Sequence, residues 1–197
     1  MNAKIAVVLS VIACVINIIG LAIPYWRTCS MKLKLFDFSA GSNYGLWIFC
    51  GYVDAPNRSF RICSAYDHPE ITSSTNGILQ ARYIELVASI LVVCSTIMGL
   101  HQTVSHTPKV LYTKPSGVMC IIAGILALVG CIVFATSSVI QLQVSTHACH
   151  YHAGFALCIV AGVMSLVSGV LYMLARKNTQ DYYNTPLTPL PSYSHDG

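Results

Sequence analysis

Four long apolar runs divide this chain, at about 5–25, 83–102, 117–140 and 153–175. Each reaches the roughly 20 residues that a helix needs to cross a hydrocarbon core, where backbone polar groups must be satisfied internally. Between the first two runs the pattern changes from continuous to alternating. From Met31 to Leu35, Lys32 and Lys34 fall on one side and Leu33 and Leu35 on the other, the period of a half-buried strand. The phase slips at Phe36-Asp37-Phe38, which reads as a bulge. Gly41-Ser42-Asn43 then turns the chain into a strand that starts at Gly45-Leu46-Trp47. Cys50 and Cys63 stand symmetrically about Pro56-Asn57. Pairing 50 with 63 sets 52 against 61 and 54 against 59, and leaves Asp54-Ala55-Pro56-Asn57 to make the turn. A disulfide across these two strands is sterically reasonable, and closing so short a loop stabilises by about 3 kcal/mol. The stretch 26–82 is thus expected to hold four strands in two successive hairpins. His68 to Gly77 follows as a short surface helix or an irregular link.

Composition agrees with a membrane protein. Hydrophobic residues make up 55% of the 197 and charged residues only 9%, against the usual quarter charged in soluble domains. The first run reads as a retained helix: it is long, has a single flanking Lys4, and lacks a clear small-x-small cleavage site. Lys4, Lys109, Lys114, Arg176 and Lys177 gather on one side of the expected topology, while the link at about 141–152 has no Lys or Arg. The positive-inside rule then makes both termini cytoplasmic and places the loops 26–82 and 141–152 outside. The net charge of +4 is spread over both sides, so it leaves no nucleic-acid footprint. Pro24 ends the first run, and Tyr25-Trp26 are expected at the membrane interface. The tail 178–197 is polar and is expected to be disordered. Within Pro186–Tyr193 it carries a PxxP match and a Leu-Pro-Ser-Tyr stretch similar to ligands of SH3 and WW domains, set against an ordinary flexible tail.

The candidate chemistry is sparse. Cys14, Cys94, Cys120, Cys131 and Cys158 lie in the apolar runs, leaving Cys29, Cys50, Cys63 and Cys149 on the expected outer side. A second bond, Cys29–Cys149, would tie the two outer loops together; the sequence leaves it open. Asn57-Arg58-Ser59 is a glycosylation sequon. His147, Cys149, His150 and His152 are a candidate Zn²⁺ or Cu²⁺ cluster, weighed against incidental histidines beside a disulfide-bonded Cys; the second reading is preferred, and no metal or cofactor is assigned. Asn17 is expected to hydrogen-bond a neighbouring helix. Arg82 and Glu85, three apart, are expected to pair at the outer mouth of the second helix. Small residues at Ala123, Ala127, Cys131 and Ala135, and at Ala161, Ser165 and Gly169, are packing stripes. No Gly-rich phosphate loop, GxSxG, HExxH or intramembrane carboxylate pair is present, so no catalysed reaction is expected.

Trp26, Gly45-Leu46-Trp47, Cys50 and Cys63, set before the second of four apolar runs, resemble the claudin family within the wider claudin and peripheral-myelin-protein superfamily. Leu79-Gln80-Ala81-Arg82 is similar to the family's lead into helix two, with Arg one residue early. Gly117 to Gly130 resembles its third helix, and Tyr151, Gly154, Ala156 and Leu157 match the start of its fourth. The likeness covers 1 to about 177. The chain departs from the family in several places. Twelve residues separate Cys50 from Cys63, His152 stands where an acidic residue is usual, and the second loop lacks its aromatic-aromatic-x-Pro segment. The family's usual PDZ-scaffold ligand and juxtamembrane cysteines are missing as well.

The resemblance implies an all-α membrane four-helix bundle with an extracellular antiparallel sheet of about five strands, at plasma-membrane cell-cell (tight) junctions. Such proteins polymerise with themselves and related claudins, in cis and in trans, into paracellular barriers or ion-selective channels. It makes Trp26, Gly45, Leu46, Trp47, Cys50, Cys63 and Arg82 the family motif. It makes Ser64, Asp67, Arg61, Lys32 and Lys34 candidate pore-lining residues, with the neutral Ser64 at the position just after the second Cys that strongly influences ion choice. Six basic against four acidic residues between Trp26 and Tyr83 do not fix the sign of selectivity, and the expectation is a barrier or a weak anion preference. The rival reading is a regulatory tetraspan, either a channel auxiliary subunit or a peripheral-myelin-type organiser.

Overall fold

The computed structural model describes residues 3–33, 38–55, 58–66, 76–104, 113–137 and 148–184. Four helices dominate it: α1 (Ala3–Ala22), α2 (Asn76–Val104), α3 (Thr113–Thr136) and α4 (Ala153–Asn184). All four are long and apolar enough to cross a membrane, which makes this a multi-pass membrane protein by length and composition. The side chains agree. On α1 the outward positions are Ile5, Val8, Ile12 and Val15, about half exposed, whereas Ala6, Ser10, Ala13 and Asn17 are buried. A water-soluble bundle has the opposite polarity; bulky apolar groups outside and small or polar groups inside suit a lipid solvent.

The helices close into a ring in which α1 and α3 each pack against both α2 and α4. The α3/α4 contact is set by backbone approach. A Cβ at Gly124 would stand 2.7 Å from the carbonyl oxygen of Gly162, and one at Gly169 would stand 2.8 Å from that of Gly117. The expected stripes are buried at Ala123, Ala127, Cys131, Ala161 and Ser165, but at the end of α3 the inward position passes from Ala135 to Phe134. Asn17 Nδ2 donates to Ser89 Oγ at 2.7 Å, the interhelical bond its position suggested.

Helix ends depart from the apolar runs for local reasons. α1 stops at Ala22, just ahead of Pro24, because the residue before a proline avoids helical geometry. α2 starts at Asn76, well before the run at 83: Ile78, Ala81, Arg82 and Glu85 are buried at helical spacing, a periodic pattern that hydropathy alone misses. α3 ends at Thr136, where Thr136 and Ser137 hydroxyls donate back to the carbonyls of Ile132 and Phe134. α4 continues to Asn184, into the stretch expected to be disordered tail. No proline interrupts it before Pro186.

At one end of the bundle stands a five-stranded antiparallel sheet: β1 (Arg27–Leu33), β2 (Phe38–Tyr44), β3 (Ile48–Ala55), β4 (Arg58–Ala65) and β5 (Ala148–Tyr151), in the order β4-β3-β2-β1-β5. The β3/β4 register is the one read from the cysteines: 50 opposite 63, 52 opposite 61, 54 opposite 59. One expectation fails. Gly41-Ser42-Asn43 do not turn; they lie inside β2, paired with Tyr52, Gly51 and Cys50. The turn is made by Gly45-Leu46-Trp47 themselves, which sit between β2 and β3. Gly45 is required there, since a Cβ would stand 2.3 Å from the Pro24 carbonyl oxygen. The bulge expected at Phe36-Asp37-Phe38 falls largely outside the described residues.

Gly124→Ala should force α3 and α4 apart and destabilise the protein by about 1–3 kcal/mol. Val129→Ala, on the lipid-facing side of the same helix, should change stability by less than about 0.5 kcal/mol. Thermal unfolding of the two variants in detergent micelles makes the comparison.

Candidate functional site

The sheet is joined to the bundle through the motif residues. Trp26 is fully buried within the protein; Phe134 and Phe155 meet it edge-on at 5.0 and 6.0 Å between centroids. Its indole Nε1 donates to the Gly20 carbonyl at 3.0 Å. Its backbone N–H donates to Tyr44 O at 2.8 Å, and its carbonyl accepts from the His152 N–H at 3.0 Å. One residue thus ties the end of α1 to β2 and to the start of α4.

The Gly45-Leu46-Trp47 turn makes the second joint. Leu46 is fully buried, while Trp47 stays partly exposed and donates from Nε1 to the Leu21 carbonyl at 2.8 Å. The Arg82 guanidinium sits 5.5 Å from the rings of both Trp47 and Tyr83. The pairing with Glu85 suggested by their spacing is not formed: Glu85 accepts from the Cys131 thiol through Oε1, and its Oε2 has no hydrogen-bond partner. Tyr66, at the end of β4, reaches back to donate to the Gly45 carbonyl at 3.1 Å. Burial, with Tyr44 close by, pushes the Tyr66 phenol well above its ordinary value.

Two disulfides brace the layer. Cys50–Cys63 crosslinks β3 to β4, and Cys29–Cys149 crosslinks β1 to β5, closing the bond that the sequence left open. Cys149 is therefore not free as a thiolate ligand. His150 and His152 are exposed, His147 lies outside the described residues, and no metal-binding group of three His, Cys, Asp or Glu is found among those described.

The five candidate pore-lining residues do not form one set. Successive strand residues point to opposite faces, so Arg61 and Ser64, three apart on β4, are on different sides of the sheet. Ser64 pairs with Phe49 and shares its face with Gly51, Val53, Phe60 and Ile62. These residues line an open groove of about 480 Å³ that carries no charged side chain. Arg61 lies opposite Tyr52 and donates to the Tyr25 hydroxyl, on a face whose smaller hollow includes Asn43, Asp54 and Ser59. Lys32 holds the register position opposite Ser39. Lys34, Asp67 and the sequon residue Asn57 lie outside the described residues. The apolar groove was missed in the sequence, although Phe60, Ile62 and Ser64 alternate with Arg61 and Cys63 in a period-2 pattern that marks it.

No family model matches the chain, and no curated protein matches it.

The Tyr66 phenol predicts an alkaline limit. Its folded pKa is raised, so its contribution is intact below the unfolded value near about 10 and is lost as pH rises beyond it, when the unfolded chain gives up the proton first. The Tyr66 contribution to the unfolding midpoint should be flat up to about pH 9 and fall above about pH 10. Tyr66→Phe should remove this tyrosine's share of that fall and cost about 1 kcal/mol at neutral pH.

Proposed function

We propose that this chain is a claudin-like junctional membrane protein that associates with copies of itself and with related proteins to form a paracellular barrier, and that it catalyses no reaction. One observation carries the reading: the Gly45-Leu46-Trp47 turn is fixed between Leu21 and Arg82 beneath a disulfide-braced, five-stranded sheet standing on four membrane-length helices. In this reading the motif residues act as the joint that holds a sheet rigidly above the bilayer.

Two disulfides at the sheet end favour an oxidising compartment for it, which supports a topology with the sheet outside the cell and both termini in the cytoplasm. The uncharged lining of the Ser64 groove supports a barrier over an ion-selective channel, because selectivity needs charged or strongly polar groups at the narrow point. Of the two arginines of β4, Arg61 is on the other face, and Arg58, at the start of the strand on the Ser64 face, is not among the residues that line the groove.

Expression in cells that lack junctions tests the reading. Strands at cell contacts in freeze-fracture, with raised transepithelial resistance and dilution potentials near zero, are the expected outcome. Strands with a clear cation or anion preference would retain the junctional role and remove the barrier. Diffuse membrane staining with co-purification of a channel would replace the proposal with the regulatory-tetraspan reading.

A further inference from the structure

On the sheet face opposite the Ser64 groove, polar side chains from three strands surround a hollow of about 280 Å³. The strand period gathers them. Tyr52 and Asp54 on β3 stand opposite Arg61 and Ser59 on β4, and Asn43 on β2 stands opposite Cys50, two residues before Tyr52. The Cys50–Cys63 bond lies on the same face and fixes β3 to β4 beside the hollow. Tyr52 reaches across to β2 at Gly41, where a Cβ would stand 2.3 Å from Cζ, so the glycine gives this ring its place.

These groups do not satisfy one another. Asp54 and Arg61 are diagonal neighbours, within the range at which long side chains meet across strands, yet they form no ion pair. The guanidinium donates to the Tyr25 hydroxyl instead and keeps most of its five N–H donors. Among the described residues, nothing donates to the Asp54 carboxylate. Asn43 accepts from Thr28 Oγ1 through Oδ1 at 2.7 Å, which leaves its Nδ2 protons unused. Ser59 and Tyr52 each add a hydroxyl that can both donate and accept. Acceptors therefore stand at one end, donors at the other, and an aromatic ring between them.

We propose that this hollow binds a saccharide. One negative and one positive charge line it, so a simple ion gains from one and loses at the other. A zwitterion would need the guanidinium that Tyr25 already holds. Sugar hydroxyls are neutral and each can donate to Asp54 while its neighbour accepts from Asn43 or Arg61. The apolar C–H face of a sugar ring is suited to the Tyr52 ring. The volume is just below the range of drug-sized sites, room for a short saccharide rather than a large ligand. The site goes beyond the barrier reading and does not rest on it, because sugar binding and junctional strands are measured separately and can fail separately.

The test uses the full chain in phosphatidylcholine nanodiscs, free of sugar-headed detergent. N-acetylglucosamine, galactose, mannose and lactose are the probes, with glycine as the zwitterion control, read by saturation-transfer difference NMR. At least one sugar should receive saturation at its ring protons, with a Kd of about 1 mM. Asp54→Ala and Tyr52→Ala should each weaken that binding about tenfold, and Val129→Ala should leave it unchanged. Asp54 is exposed and unbonded, so its removal leaves the fold intact even if Tyr52→Ala does not fold. Transfer to none of the sugars overturns the proposal, as does sugar binding that Asp54→Ala retains. Transfer to glycine alone, lost in Arg61→Ala, replaces it with a zwitterion site. Chain made in glycosylating cells is then compared with Asn57→Gln, which removes the sequon. Equal binding assigns the site to sugars on other molecules, and binding in Asn57→Gln alone assigns it to the chain's own glycan.

Discussion

A β-sheet carried on membrane helices needs a stiff joint, because a hinged sheet cannot present a defined surface to anything it meets. Here the joint is Trp26. Its indole is held by the Gly20 carbonyl and enclosed by Phe134 and Phe155, and its peptide groups bond β2 on one side and the first residues before α4 on the other. Three segments far apart in sequence are thereby fixed around one residue. Gly154 allows α4 to come this close, since a Cβ there would stand 2.7 Å from the Trp26 ring. The Trp47 turn and Tyr66 add a second set of bonds at a short distance along the sheet.

The bundle beneath obeys a different rule. Lipid offers no hydrophobic reward for bringing helices together, so close backbone approach and interior hydrogen bonds replace the oily core of a soluble protein. Gly117 and Gly124 meet Gly162 and Gly169 across the α3/α4 contact, and Ser10, Ser95, Thr96 and Ser116 bond one another where α1, α2 and α3 meet. Glu85 is the one carboxyl in this otherwise hydroxyl-based interior, among the described residues.

Much of this was legible in the chain. Four spans, four strands in the first loop, the β3/β4 register and the Asn17 bond all followed from periods, cysteine symmetry and the chemistry of an amide in an apolar helix. What failed did so for identifiable reasons. Gly41-Ser42-Asn43 has turn composition but is held extended by ladders on both sides, and Gly41 lies against Tyr52 in the next strand. Tertiary pairing overrode local propensity. Arg82 and Glu85 have the spacing of an ion pair, yet the guanidinium lies by the Trp47 and Tyr83 rings and the carboxyl takes the Cys131 thiol. The candidate site was least legible where facing mattered: charge counts over the first loop could not show that Arg61 and Ser64 look in opposite directions.

The bond between Cys29 and Cys149 has a consequence for the molecule's connectivity. It closes a covalent ring of 120 residues' separation that contains α2 and α3, with α1 and α4 leaving the ring side by side. A protease that cut the backbone between α2 and α3 would therefore not release either half. The nicked molecule would migrate as one body until a reductant opened it, and only then separate into two hairpins of helices.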